Sequence, residues 1–250
     1  MHFNVISSGS KGNATLVISN QTVILIDMGI SFERLNEGLK ECHLTFDDIT
    51  GAIFTHDHGD HIKGIKFLSP SKMYALKGTL PSLSNVVNLF EPFKIGDFTI
   101  TPIETSHDAT NPCGYLLDDG KEKMLYVTDT GYFPQRNLPL VKNPTYLIVE
   151  SNHDIKMLLK TNRTHELKCR IMSDVGHLCN EDSAIATTSI IGPDTKEIVL
   201  AHLSEEANTP EIALAAYLKV FRYFGINPDK YRIVCANQHH STLGGNFNED

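Results

Sequence analysis

Three imidazoles and two carboxylates fall within six residues of this chain, His56-Asp57-His58-Gly59-Asp60-His61, directly after Thr55 and the apolar run Ala52-Ile53-Phe54. Imidazole nitrogen and carboxylate oxygen are the donors that borderline divalent ions prefer, and one loop with this spacing can wrap two ions. Packing gives no reason to crowd so many polar side chains together, whereas a lone His at a strand end is normally a satisfied structural residue. The chemistry that follows is hydrolysis: two cations about 3.5–4 Å apart lower the pKa of a bridging water towards neutrality and stabilise the attacking and leaving oxygens of a displacement.

Such residues need elements that converge on one edge. Ala52-Ile53-Phe54 leads to His56, and Phe98-Thr99-Ile100-Thr101 leads towards His107. Met124-Leu125-Tyr126-Val127 ends in Asp129, Tyr146-Leu147-Ile148-Val149 in Glu150, and Ile198-Val199-Leu200 in His202. Sheets carrying helices on their faces bind ligands at the carboxyl ends of their strands, where loops gather. The chain opens on the β-branched runs Phe3–Ile6, Thr15–Ile18 and Thr22–Ile26, which predict an antiparallel meander. Ser31 is positioned to cap a helix with Phe32, Leu35 and Leu39 on one face. Thr209-Pro210-Glu211 predicts a helix through Phe224 that Gly225 stops.

The chain has 250 residues, 41% hydrophobic and 21% charged, with no internal repeat and no obvious linker, so 1–250 reads as a single domain. Its formal net charge of −8 excludes a generally basic protein that coats nucleic acid. A nuclease stays open, because metal ions supply positive charge where phosphate binds. The five cysteines are scattered and never form Cys-x-x-Cys, which predicts reduced thiols. With no apolar run of about 18 residues and no basic-then-apolar leader, a cytoplasmic location is expected and a membrane partner is not.

The cluster, followed in order by Thr105-Ser106-His107-Asp108-Ala109, Val127-Thr128-Asp129-Thr130-Gly131 and Leu200-Ala201-His202-Leu203-Ser204, resembles the metallo-β-lactamase superfamily over nearly the whole chain. The opening Ser7-Ser8-Gly9-Ser10-Lys11-Gly12-Asn13 narrows the likeness, as do Glu150-Ser151-Asn152-His153-Asp154, Ser173-Asp174-Val175-Gly176-His177-Leu178 and Ala201–Asn208. Together these segments resemble the YycJ/WalJ (VicX) group, which includes 5′-to-3′ DNA exonucleases. The resemblance implies an α/β fold, a four-layer αββα sandwich, with two divalent ions, Zn²⁺ or Mn²⁺, at one edge. It implies that His56, His58 and His107 hold one ion, that Asp60, His61 and His202 hold the other, and that Asp129 bridges them. A carboxylate can share its oxygens between cations, whereas a neutral imidazole offers one lone pair.

Several further residues carry expectations. Asp27 matches a strand-end Asp that supports ligand histidines. Asp57 is expected either to support the ligands or to accept a proton. His177, before the helix start Asn180-Glu181-Asp182, is expected at the scissile phosphate or leaving oxygen, with simple loop hydrogen bonding as the alternative. His153 has a weaker case for the same phosphate. Ser8, Ser10 and Asn13, in a loop that also holds Ser7 and Lys11, suit phosphate oxygens or merely make a tight turn. Lys156, Lys160, Arg163, Lys168 and Arg170 form a basic stretch, read either as a nucleic-acid rail or as a solvated loop. His239 and His240 are expected on a surface loop, and His2, His43 and His165 receive no role.

The function expected is a metal-dependent DNA 5′-to-3′ exonuclease using a metal-bridging hydroxide, with DNA as its partner. The alternatives are a small-molecule phosphodiesterase acting on cyclic or nucleotide substrates, a thioesterase, or a regulatory partner protein with a structural metal site. β-Lactam hydrolysis is disfavoured because no Cys stands at the second ion. The interval from Asp129 to His202 is too short for the insertion of RNase J-type enzymes. The oligomeric state is left open.

Overall fold

The computed structural model describes residues 1–81 and 85–246. In chain order it begins with strands β1 (His2–Ser7), β2 (Ala14–Ser19) and β3 (Thr22–Ile26), helix α1 (Phe32–Glu41), β4 (Ile49–Ile53) and the one-turn helix α2 (Gly59–Ile62). Strands β5 (Met73–Leu76), β6 (Asn85–Val87), β7 (Phe93–Ile95), β8 (Phe98–Glu104), β9 (Cys113–Asp118) and β10 (Lys123–Val127) follow. The remainder comprises α3 (Leu138–Val141), β11 (Tyr146–Glu150), α4 (Ile155–Lys160), α5 (His165–Ile171), α6 (Asn180–Ile190), β12 (Glu197–Ala201), α7 (Pro210–Tyr223), β13 (Arg232–Cys235) and β14 (Thr242–Gly245). The strands form two mixed seven-stranded sheets. Among the described residues no helix is long and apolar enough to cross a membrane.

The chain divides into two compact units. One holds Met1–Ile103, Ala109–Lys123 and Ala236–Asp250; the other holds Glu104–Asp108 and Met124–Cys235. In the first unit a sheet runs β14-β1-β2-β3-β4-β5-β6. Its β14 to β3 part is antiparallel, with Val5 opposite Thr15 and Leu16 opposite Leu25, and from β3 to β6 the strands are parallel. The expected meander is therefore present. Ile6, Leu16, Leu25, Leu35, Leu39 and Phe54 are among the side chains of its core. Helix α1 starts where Ser31 Oγ accepts the Arg34 N–H at 3.2 Å, and it buries Leu35, Gly38 and Leu39.

In the second unit β10, β11, β12 and β13 are parallel neighbours. Both β11 and β12 are buried along their whole length, as parallel strands covered on two faces require. Helix α7 is capped by Thr209 Oγ1, which accepts the Ile212 N–H at 3.3 Å, carries Pro210 in its first turn, and is followed by Gly225 at φ +69°. Cap, proline and left-handed glycine stand where the sequence placed them. Most of the basic stretch folds into α4 and α5, with Arg163 in the turn between them, so it is not a loop throughout. Asp154 Oδ1 accepts the Met157 N–H at 2.8 Å and Thr164 Oγ1 the Leu167 N–H at 3.3 Å, and these caps start two short helices that charge counting did not reveal.

Alanine is normally the better helix former by about 1 kcal/mol, but a Cβ on Gly38 of α1 would stand 2.5 Å from Ile6 Cγ1 and 2.6 Å from its Cδ1. Ile6 is fully buried and has little room to yield. The crowding, of order 1–3 kcal/mol, outweighs the propensity gain. Gly38→Ala should therefore lower the denaturation midpoint in urea, and a raised midpoint would show that Ile6 can move.

Candidate metal centre and its supports

In the first unit, β4 runs into the loop that carries the histidine cluster. His56 and His61 are buried and His58 is half-buried; the His56 and His61 ring centroids lie 3.9 Å apart and those of His56 and His58 4.6 Å apart. The end of β3 stitches this loop in place. The Asn13 N–H donates to Asp60 O at 2.8 Å, the Met28 N–H to His61 O at 2.7 Å, and the Gly29 N–H to Asn13 O at 2.9 Å. A Cβ on Gly29 would lie only 1.6 Å from Asp60 O, so the loop approaches closely because glycine is there.

Asp27 is the fully buried support of this half. Its Oδ1 accepts the Thr55 N–H at 2.8 Å, and its Oδ2 accepts the Thr55 hydroxyl at 2.9 Å and His61 Nδ1–H at 2.8 Å. The Thr55 hydroxyl, having donated to Asp27, accepts His56 Nδ1–H at 3.0 Å. Both rings thereby carry their proton on Nδ1 and their lone pair on Nε2. Asp60 brings a carboxylate oxygen to 3.7 Å from His61 Nε2. Asp57 Oδ1 accepts the Thr110 N–H at 3.0 Å. Burial acts to raise the Asp57 pKa, but the Thr110 hydrogen bonds prevail and hold it below its ordinary value.

In the second unit, His107, Asp129, Glu150, His177 and His202 draw together at the ends of β8, β10, β11 and β12. Asp129 Oδ1 lies 3.4 Å from His202 Nδ1, 3.6 Å from His177 Nδ1 and 3.9 Å from His107 Nε2. Asp129, Glu150, His177 and His202 each offer a ligand-type atom within 4.8 Å of the others. Glu150 organises the group. Its Oε1 accepts His177 Nδ1–H at 2.8 Å and His202 Nδ1–H at 2.9 Å, and its Oε2 accepts the N–H of Thr130 at 3.0 Å and of Leu178 at 3.1 Å. Burial acts to raise the Glu150 pKa, yet charge on His177 and the hydrogen bonds from His177 and His202 outweigh it, bringing it down to about 2. His107 donates Nδ1–H to Gly176 O at 3.1 Å, and burial keeps its pKa below the ordinary histidine value.

Three of these strand-end residues sit in the left-handed backbone region: Asp27 at φ +58°, Asp129 at +55° and His202 at +55°. Each such conformation costs a non-glycine residue about 1–3 kcal/mol. It turns the chain sharply out of β3, β10 and β12, so that a side chain is presented at the edge.

The donor set fits divalent metal. It is made of imidazoles with lone pairs on Nε2 and of carboxylates, held in both units by hydrogen bonds that fix tautomer and ring orientation. Other sequence-level candidates are placed differently. The Asn13 amide is committed within the protein, with Oδ1 accepting the Gly9 N–H at 2.9 Å and Nδ2 lying 3.0 Å from His61 Nε2. Ser7 Oγ lies 2.7 Å from Gly12 O and 2.8 Å from Gln238 O; Ser8 is buried and Ser10 exposed. His153 is buried, and desolvation pushes its pKa down to about 4. His239 and His240 are exposed, with their N–H groups on Asn237 Oδ1. In the basic stretch Arg170 grips Asp108 through two bonds of 2.6 and 2.7 Å, Arg163 meets Glu206 at 3.1 Å, and Lys168 Nζ caps Leu159 O and Thr161 O. Sequence reasoning gave no role to Glu150, although its place at the end of an apolar run was the available signal; for the Arg170–Asp108 pair there was none.

Residues 22–202 match the beta-lactamase superfamily domain, and the chain belongs to the metallo-β-lactamase superfamily, whose α/β fold of two mixed sheets flanked by helices it shares. Within that superfamily it stands with the YycJ/WalJ group. It is 34% identical over 239 residues to the exodeoxyribonuclease YycJ of Bacillus anthracis, covering 90% of each chain. It is 33% identical over 227 residues to the exodeoxyribonuclease WalJ of Streptococcus pneumoniae, covering 84% of each. Among solved structures it is similar in fold to the metallo-β-lactamase fold protein YhfI of Bacillus subtilis, with a TM-score of 0.72 at 18% identity over 97% of this chain and 99% of that one.

Glu150→Gln tests the support of His177 and His202. An amide keeps one acceptor oxygen but turns an N–H₂ towards either the two backbone donors or the two imidazole donors, so at least one pair loses its partner. Metal affinity, measured by competition with a chromophoric chelator, should fall about 10–100-fold while the helical circular-dichroism signal is unchanged. Unaltered affinity would remove Glu150 from the support of the centre.

Proposed function

We propose that this protein is a metal-dependent DNA exonuclease that degrades strands in the 5′-to-3′ direction in the cytoplasm. The observation that carries the reading is the 34% identity to a protein named exodeoxyribonuclease over 90% of both chains, in a chain whose strand ends carry imidazoles and carboxylates in each unit. Five free cysteines accord with a reducing compartment.

In this reading 1–250 acts as a single functional domain with two divalent ions, Zn²⁺ or Mn²⁺. His56, His58 and His107 would hold one ion, Asp60, His61 and His202 the other, and Asp129 would be shared between them. When bound, the ions would acidify water and neutralise charge on the phosphate. The chain's own residues do the rest. Asp27, Thr55, Gly176 O and Glu150 hold the ligand rings with their lone pairs on Nε2. His177, fixed through Nδ1 on Glu150 and partly exposed, keeps Nε2 to protonate the leaving 3′ oxygen or to bind a phosphate oxygen. Asp57, held by Thr110, would accept a proton from the attacking water. Ser10 and the backbone around Ser8 contact the phosphate next along the strand. Asn13 acts instead through His61, and His153 through the residue beside it.

The test is digestion of 5′- and 3′-labelled single- and double-stranded DNA by metal-stripped protein restored with Mn²⁺ or Zn²⁺. Metal-dependent release of short products from the 5′ end is expected. Asp129→Ala should lose both turnover and bound metal. His177→Ala should keep its metal while kcat falls about 10²–10⁴-fold. Hydrolysis of a small phosphodiester with no cleavage of DNA would replace the reading by a small-molecule phosphodiesterase.

A further inference from the structure

A cavity of about 390 Å³ lies in the second unit, walled by α4, the start of α6 and one face of α7. Its volume is in the range of small-ligand sites. On α7 the lining residues Ile212, Ala215, Ala216 and Lys219 recur at helical spacing, so a single stripe faces the space and its two alanines make the room. Ile155 adds apolar surface from α4.

Polar groups stand at the two ends. At the buried end is His153, 1% exposed. The amide of Asn152 donates through Nδ2 to His202 O at 2.9 Å, which turns its Oδ1 towards His153; His153 Nδ1–H donates to that oxygen at 3.3 Å. His153 Nε2 is left as an acceptor with no hydrogen-bond partner among the described residues, and His153 lines the cavity. At the open end, Lys219 is paired with Glu181 at 2.6 Å, while exposed Lys156 has no carboxylate partner among the described residues.

The geometry points to a binding site for a nucleoside monophosphate, its base between Ile155 and the alanine face of α7, an N–H of the base on His153 Nε2, and its phosphate at Lys156 and Lys219. An apolar slot with a histidine acceptor on its buried side and, on its exposed side, Lys156 and a Lys219 paired with Glu181, beside Asp154, matches a planar base that carries donors at one end and an anion at the other. Choosing a nucleotide among such ligands rests on the nuclease reading. Two sources share this chemistry: the terminal residue of a bound strand and the released mononucleotide. Asn152 joins the site to the catalytic half, since it touches both His153 and His202.

The test titrates deoxynucleoside monophosphates calorimetrically into the full-length, metal-loaded protein and into the His58→Ala variant, which disrupts the proposed metal set. Saturable binding is expected in both. Ala216→Leu, which fills the slot with a good helix former, should weaken it at least about tenfold with unchanged metal content and melting temperature. Lys156→Glu should also weaken it, which keeps the test decisive if the filled variant folds poorly. Binding that disappears in His58→Ala and survives Ala216→Leu would place the nucleotide at the metal centre and overturn the proposal, as would no saturable binding to the wild type. DNA digestion by the same variants separates the sources. A raised KM for DNA in Ala216→Leu assigns the slot to the strand terminus; an unchanged KM with relief of mononucleotide inhibition assigns it to product. Nucleotide bound in the slot of a protein that cleaves no DNA would refute the nuclease reading alone.

Discussion

A buried imidazole presents a metal-binding lone pair only if its other nitrogen has somewhere to place its proton. That requirement governs this molecule in both units. His61 puts Nδ1–H on Asp27, His56 on the Thr55 hydroxyl, His107 on a backbone carbonyl and His202 on Glu150. The partners differ chemically but impose the same tautomer and fix each ring's rotation. Asp27 and Glu150 go further, because each also accepts backbone N–H groups. One buried carboxylate in each unit thus ties side-chain orientation to the path of the chain, and a shift in either would move imidazole rings and loop together.

Such carboxylates are stable inside a protein only when their lone pairs are matched by donors. Glu150 shows the balance: burial alone would favour its neutral form, but two imidazoles and two amides keep it ionised. The Ser183 hydroxyl, which itself meets Tyr217 of α7, bonds to the backbone carbonyl of Glu150, so the support is anchored in the packing of α6 and α7. The left-handed turns at Asp27, Asp129 and His202 are a second cost borne at the same edge. They persist because the strands behind them are buried, paired and unable to relax.

Charge in the second unit is also arranged locally rather than as a broad field. Three of the five cations in the Lys156–Arg170 stretch are held by internal partners, and the bidentate grip of Arg170 on Asp108 steadies the residue next to His107. This local pairing of cations accords with an overall net charge of −8.

Much of this was legible in the linear chain. The His56–His61 cluster, the strand-end placing of His107, Asp129 and His202, the opening meander and the caps at Ser31 and Thr209 all rest on spacing and local propensity, which operate over a few residues and survive translation into structure. Tertiary structure decided the supports. Glu150 meets His177 and His202 across 27 and 52 residues, and Arg170 meets Asp108 across 62, whereas the support that Asp27 gives His61 was expected from its strand-end place. Asn13, read from sequence as a phosphate donor or as part of a tight turn, has its amide taken up by Gly9 across that turn and lies beside His61. No local pattern encodes such partnerships, because a hydrogen bond depends on where two backbones have been brought. The sequence by itself determined which chemistry the residues are capable of; only the fold decided which nitrogen carries the proton.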